Sequence, residues 1–331
     1  MMVTMAHGSG GEETEKLIRE IFAARFDNPW LSGLEDAAAV PGSQRLAMTT
    51  DSFVVRPLEF PGGDLGKLAV CGTVNDLLMR GAVPKYLTAG WILEAGTDLA
   101  LLERIAASMA DTAAEAGVQI VAGDTKVVEN VHEDGGIVIN TAGVGFLRED
   151  LEVSASRIRP GDQVILSGTL GDHHAAIQSA RMRLDNDICS DVALLTEPVS
   201  IMLGAGIRVH AMRDVTRGGL ATILNEFARD AHLTIKLEQE TIPVSPAVRN
   251  LCGILGLDPL TMGNEGKFIA VVDPADAEQA LELIRGTSCG QQAAVIGKLT
   301  EWVDTDVILH TSLGGTRVVA PLTGEGLPRI C

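Results

Sequence analysis

Residues 98–117, D-L-A-L-L-E-R-I-A-A-S-M-A-D-T-A-A-E-A-G, place Leu99, Leu102, Ile105 and Met109 at helical spacing between a capping aspartate and a stopping glycine. Strand-like segments flank this helix: Y-L-T-A-G-W-I-L before it, then Q-I-V-A-G-D-T-K-V-V and G-I-V-I-N-T-A-G-V-G-F, which a turn around E-D-G-G joins. A helix with defined ends between strands commits this part of the chain to α/β layers. Upstream, Q-R-L-A-M-T-T-D-S-F-V-V reads as a strand and residues 65–80 as a helix stopped by Gly81 and Pro84. The first half is thus β-α-β-α-β-β, preceded by an amphipathic helix with Leu17, Ile21 and Phe22 on one side.

Pro160-Gly161-Asp162 is a turn signal that opens a second unit, in which strands and helices alternate through D-V-T-R-G-G-L-A-T-I-L-N-E-F-A-R-D, G-K-F-I-A-V-V-D and D-A-E-Q-A-L-E-L-I-R-G. With 331 residues, each half is long enough to bury its own core. The fold class expected is α/β (α+β) with two α/β domains. The boundaries are a Gly-rich segment and helix over 1–34, one domain over 35–150, a second over 151–311, and a mobile tail over 312–331. Aromatics are only 3% of the chain, so the cores must come from Ala, Val, Leu and Ile.

A net charge of −18 without a basic patch repels nucleic acid and anionic lipid. The most apolar stretch, L-A-V-C-G-T-V-N-D-L-L-M, is broken by Asn75 and Asp76, so no membrane span is expected. The N-terminus has neither a basic start nor a signal-length apolar run, and a cytoplasmic protein is expected. Five cysteines with no C-x-x-C pair argue against a zinc site and a disulfide framework.

Aspartates interrupt small or apolar neighbours in D-A-A-A-V (Asp36), T-T-D-S-F (Asp51), V-N-D-L-L (Asp76), A-G-D-T-K (Asp124) and R-D-V-T-R-G-G (Asp214). Any one of them reads as an N-cap or turn residue. Together, with few basic neighbours, they suggest a hard-cation site of the Mg²⁺ type, in which a few carboxylates act with phosphate oxygens. A nucleotide is the natural companion. G-G-D-L-G-K-L is one residue short of a phosphate loop and carries Leu68 at the Ser/Thr position, so it is rejected. H-G-S-G-G (Gly8, Ser9, Gly10, Gly11) remains as a source of backbone N–H groups for phosphate, or as no more than a Gly-rich terminus. Lys126 shares a strand face with Asp124, as a functional group or as its ion-pair partner. Glu265, between glycines in G-N-E-G-K, is a second functional candidate or a turn residue. The adjacent His173 and His174 cannot both face one ion from a regular element and are read as structural or peripheral.

These segments occur in order with P-G-G-D-L-G-K-L-A-V-C-G-T-V-N-D-L, T-R-G-G-L-A, N-E-G-K and a terminal L-P-R-I-C. The chain resembles the HypE family of hydrogenase maturation proteins. That family belongs with aminoimidazole ribonucleotide synthetase, selenophosphate synthetase and thiamine-monophosphate kinase. The resemblance spans nearly the whole chain, and the terminal P-R-I-C singles out HypE. It implies that Cys331 carries a carbamoyl group received from HypF. ATP with Mg²⁺ would drive its dehydration to a thiocyanate, and the cyano group would pass to iron on the HypC–HypD complex. It also implies a homodimer whose N-terminal sheets pair into a sheet or barrel, nucleotide contacts from Lys67, Asn75 and Thr125, and metal ligands among the five aspartates. Phosphorylation makes the carbamoyl oxygen a leaving group, and a base must then take the nitrogen proton; Lys126 and Glu265 both qualify. Roughly 17 residues from Gly314 to Cys331 reach about 50 Å when extended, enough to travel between two active sites. The departures from the family pattern are Val215 after Asp214, His174 after His173, and Gly263 before N-E-G. The competing readings are another ATP-dependent synthetase or kinase of the superfamily, or a non-catalytic thiol carrier. Selenophosphate synthetase would want a reactive Cys or Sec where this chain has Ser9.

Overall fold

The computed structural model describes residues 2–9, 12–31, 37–129, 131–132 and 135–322. Two large sheets organise the chain, one in each half, beside a short pairing of β2 (Glu59–Phe60) with β3 (Gly63–Asp64). In the first, β1 (Leu46–Phe53), β6 (Ile137–Leu147), β4 (Ala82–Glu94) and β5 (Gln119–Val128) lie in the order β1-β6-β4-β5. Only the β4–β5 pair is parallel, as the intervening helix α3 (Leu99–Ala116) requires. Asp98 caps α3 by accepting from the Ala100 N–H, and Gly117, at φ +69°, ends it in the left-handed region. The helix expected over 98–117 is therefore borne out, with Leu102, Ile105 and Met109 buried.

Helix α2 (Leu65–Met79) is buried on nearly every side, because it lies against β1, β6, α3 and the second domain at once. Its cap explains why the Gly-rich stretch before it is not a phosphate loop. Asp64 accepts from the Gly66 and Lys67 N–H groups and from Ser108 Oγ, so the chain supplies its own anion at that helix end.

The sheet sends alternate side chains to two faces. Ala47, Thr49, Asp51 and Phe53 of β1 face inward, whereas Leu46, Met48, Thr50 and Ser52 face outward. The outer face continues across Val144 and Phe146 of β6 and Tyr86, Thr88 and Ile92 of β4, and Met48 is 74% exposed. Among the described residues it is an open four-stranded sheet.

The second sheet has seven strands in the order β13-β12-β9-β11-β7-β10-β8: Thr316–Val318, Val307–His310, Leu233–Glu238, Ala294–Glu301, Gln163–Leu166, Phe268–Val272 and Val209–Asp214. Every residue of β10 is buried, and its alternation divides the core. Phe268, Ala270 and Val272 join a cluster that also contains α2 and most of the first domain, while Ile269 and Val271 pack with Leu224 and Phe227 of α6 (Gly219–Ala231). One apolar cluster thus runs through both halves.

The expected start of the tail at residue 312 is corrected. β13 pairs antiparallel with β12, Val319 is buried with its N–H on the Val307 carbonyl, and Asn225 Nδ2 donates to the Val319 carbonyl at 2.9 Å. A three-residue strand is too short to display a period, which is why the sequence reads as irregular there. Deleting residues 316–331 should therefore destabilise the fold by about 2–4 kcal/mol, from one buried valine and one buried hydrogen bond. Chemical denaturation of the truncated and full chains would check this. Residues 323–331, including Cys331, lie outside the described residues.

Candidate active site

The cleft between the two halves collects acids from four separate elements. Asp76 projects from α2 and accepts from Thr49 Oγ1 on β1 at 2.7 Å. Asp51 lies two residues further along β1, on the same inward face, with its Oδ1 accepting the Ser52 N–H and the Arg217 guanidinium 3.8 Å away. Asp214 ends β8 and is only 7% exposed. Asp76 and Asp214 share a cavity of about 340 Å³ with Thr49, Met212, Arg213 and Phe227. Glu265 follows on the turn entering β10, at 5% exposure.

These carboxyls disfavour one another's ionisation. Burial pushes Asp214 up to about 7, with the charges of Asp76 and Asp51 adding to the effect. Asp76 is raised by burial first and then by Asp51, against the Thr49 hydrogen bond. Glu265 is raised well above the carboxylate range by burial, then by Asp214, Asp191 and Asp51. Desolvation and like-charge crowding at one point are the conditions that a divalent cation relieves. Among the described residues no three acid, histidine or cysteine side chains stand close enough to enclose an ion. An ion held here would have to take further oxygens from elsewhere, such as a phosphate chain.

Not every residue singled out in the sequence arrives here. Asp124 lies opposite Gly90, in the row Ser52–Asn140–Gly90–Asp124 across the sheet. That is three strand spacings, about 14 Å, from the β1 edge, and on the outer face. Within one chain it cannot share an ion with Asp51. Its carboxylate is 2.9 Å from Lys126 Nζ, both exposed, so the pairing expected from their spacing is present. Gly8, Thr125, Asp124 and Lys126 line a separate cavity of about 790 Å³ beside Phe22, Trp30 and Trp91. A Cβ on Gly8 would fall 2.7 Å from Val127, so only glycine lets the N-terminal segment close against β5. Ser9 Oγ donates to the Ala6 carbonyl. Lys67 stands in the first turn of α2, behind the Asp64 cap, and lines neither cavity. Asn75 is 2% exposed with its amide committed to backbone of the second half. Gly10, Gly11 and Asp36 lie outside the described residues. His173 bonds Ser190 Oγ through Nδ1, and burial followed by the neighbouring His173 holds His174 down to about 4. Both are internal, consistent with a structural reading.

Comparison with known proteins decides the family. Models for the N-terminal and C-terminal domains of AIR synthase related proteins match residues 34–147 and 159–310. A protein of Rhodobacter capsulatus named carbamoyl dehydratase HypE is 48% identical over 99% of this chain and 98% of its own. A crystal structure of HypE in complex with ATP superposes with a TM-score of 0.95, at 45% identity and 99% coverage of both chains. The chain belongs to the HypE family. It is accordingly a member of the carbamoyl dehydratases, and the family resemblance drawn from the ordered motifs is borne out, as is the α/β fold class. A HypE–HypF complex also superposes, with a TM-score of 0.79 at 46% identity, covering 92% of this chain and 99% of that one. Among the described residues no helix is long and apolar enough to cross a membrane.

The cleft also contains groups to which the sequence alone assigned no role. Thr49 opens T-T-D-S-F and Lys267 closes N-E-G-K, where the aspartate and the glutamate are the more conspicuous residues. Asp191 had only a weak signal, a carboxylate ahead of the apolar V-A-L-L. Its Oδ2 lies 3.3 Å from Lys267 Nζ in a buried ion pair, and its Oδ1 accepts the Glu265 N–H at 3.1 Å.

Proposed function

We propose that this chain uses ATP to dehydrate a carbamoyl group carried on the Cys331 thiol to a thiocyanate, the source of the cyanide ligand of [NiFe]-hydrogenase iron. The observation that carries the reading is the convergence of Asp51, Asp76, Asp214 and Glu265 on one buried cleft between the domains. The relatives support it, being named carbamoyl dehydratase and including a structure with ATP. HypF is the carbamoyl donor, in keeping with a relative crystallised in a HypE–HypF complex, and HypC–HypD is the cyanide acceptor.

Asp51, Asp76 and Asp214, with Asp36, would hold Mg²⁺. Bound there, it would neutralise charge on the phosphate oxygens. The carbamoyl oxygen attacks the γ-phosphorus and ADP leaves, while one N–H proton passes to water to give a phosphorylated imidate. As the C–O bond breaks and phosphate departs, the second N–H proton is removed and the C≡N bond closes. We assign that second proton to Glu265 rather than Lys126. Glu265 sits in the cleft beside Asp214, whereas Lys126 is an exposed ion pair on the other face of the sheet. The outer face of the first sheet, with Met48, Ile92 and Val144, is the homodimer surface of this reading, and it brings Asp124 and Lys126 to that interface.

The test is mass spectrometry of the C-terminal peptide after incubation with HypF, carbamoyl phosphate and ATP. Carbamoyl addition on Cys331 followed by loss of one water is expected. An unmodified peptide in the presence of active HypF would reject the reading.

A further inference from the structure

One stretch of the second half, residues 190–195, runs as a strap between helix α2 and the turn that carries Glu265. At its start the Ser190 N–H donates to the Pro61 carbonyl at 2.7 Å, and Ser190 Oγ takes the Val192 N–H. At its end Asn75 closes on it with both amide atoms: Nδ2 donates to the Ala193 carbonyl at 3.0 Å, and Oδ1 accepts the Leu195 N–H at 2.9 Å. Between these points the strap grips the Glu265 turn from both sides of one residue. Asp191 Oδ1 accepts the Glu265 N–H, and the Ala193 N–H donates to the Glu265 carbonyl at 3.3 Å. The contact is close enough that a Cβ on Gly266 would fall 1.9 Å from the Asp191 carbonyl oxygen. The ion pair of Asp191 with Lys267 pins the next turn residue but one.

Ala193 is the shared point. Its carbonyl is held by Asn75 and its N–H holds Glu265. One residue therefore separates the helix bearing Asp76 from the turn bearing Glu265, although the two belong to different domains. Asn75 is buried, and its Nδ2 and Oδ1 are each engaged on the strap, which leaves one N–H and one lone pair of the amide beyond these two bonds.

We propose that Asn75 is a positioning residue for the reaction: through the 190–195 strap it sets the distance between the Asp76 side of the cleft and the Glu265 side. This rests on the reading that places the phosphate at Asp76 and the base at Glu265. It departs from the expectation that Asn75 contacts nucleotide. Proton removal concerted with phosphate departure needs both ends of one small group engaged together, so a displacement of about 1 Å is worth up to a hundredfold in rate.

The test uses the full chain, loaded on Cys331 by HypF and freed of the partner, then given ATP in a single turnover. In Asn75→Ala the dehydration rate should fall by about tenfold to a hundredfold. The Kd for ATP should stay within about twofold, because a positioning role spends the amide on the strap rather than on nucleotide. Amide hydrogen exchange should rise together in residues 190–195 and 264–266. Asn75→Gln serves as a second variant should the alanine protein not fold. It keeps the amide chemistry but lengthens the arm, so a role that is only hydrogen-bond satisfaction leaves turnover near wild type while a positioning role does not. Unchanged exchange at 264–266 overturns the strap. ATP affinity falling in step with rate overturns the assignment in favour of nucleotide contact, and exchange that rises with turnover intact overturns the role in the reaction. Glu265→Gln in the same assay separates this from the underlying reading: if that variant turns over normally, it is the base assignment that fails, whatever Asn75 does.

Discussion

Glu265→Gln is expected to abolish dehydration while leaving carbamoyl loading and ATP binding intact. The substitution is isosteric, and the turn is held through the backbone of residue 265, whose N–H donates to Asp191 Oδ1 and whose carbonyl accepts the Ala193 N–H, so a glutamine leaves both bonds in place. What disappears is the one buried carboxylate assigned to the nitrogen proton. Loss of a positioned base costs about 10²–10⁴-fold, so single-turnover conversion of the loaded protein should drop by that factor. The melting temperature should not fall, because a neutral side chain no longer opposes Asp214, Asp191 and Asp51. The pH dependence gives a second reading of the same group. Burial and like charges hold the Glu265 carboxyl above the ordinary range, so the acid limb of turnover should lie above that range in the wild-type protein and be absent from the residual activity of the variant. Turnover within threefold of wild type would transfer the proton to another group, with Lys126→Met the next variant to measure.

The sequence was legible wherever local rules decide the outcome. Asp98 and Gly117 bound α3 with a cap and a left-handed stop, and the strand period places Thr49 and Asp51 on one face of β1. The carboxylate set was half legible. Asp51, Asp76 and Asp214 do face one cleft and feel one another's charge, but Asp124 looks the same in sequence and its place follows from sheet order and face parity, which only strand pairing sets. Asn75 shows the limit plainly. Beside Asp76 it reads as part of a ligand motif, yet its partners are backbone atoms of Ala193 and Leu195, more than a hundred residues away in the chain. Asp191 has no motif around it and acquires meaning only from the turn it holds. Val318 and Val319, in a stretch without period, became a sheet edge because β12 offers a free ladder to pair with.

Asp214→Asn should produce opposite changes in activity and stability. Asp214 is buried at the end of β8 and its carboxyl is pushed up to about 7, so the folded protein holds its proton more tightly than the unfolded chain, where the value is near 3.8. The sign follows from linkage: the folded state binds the extra proton between those two values, so its stability declines as pH rises from about 4 to about 7 and is flat above. Replacing the acid by its neutral isostere removes that penalty. Without nucleotide or metal, Asp214→Asn should therefore melt higher than wild type at pH 8 and show little difference near pH 4. The gain should be about 2–4 °C for each kcal/mol recovered in a chain of this size. Turnover should fall by at least about a hundredfold, because the same carboxylate is one of those assigned to neutralise the metal beside the phosphate. A stabilised and inactive variant would mean that the fold carries this charge for the reaction. A variant that is destabilised at pH 8 would show instead that Asp214 is ionised and paired in the resting protein, and the assignment of the cleft as a cation site would lose its electrostatic basis.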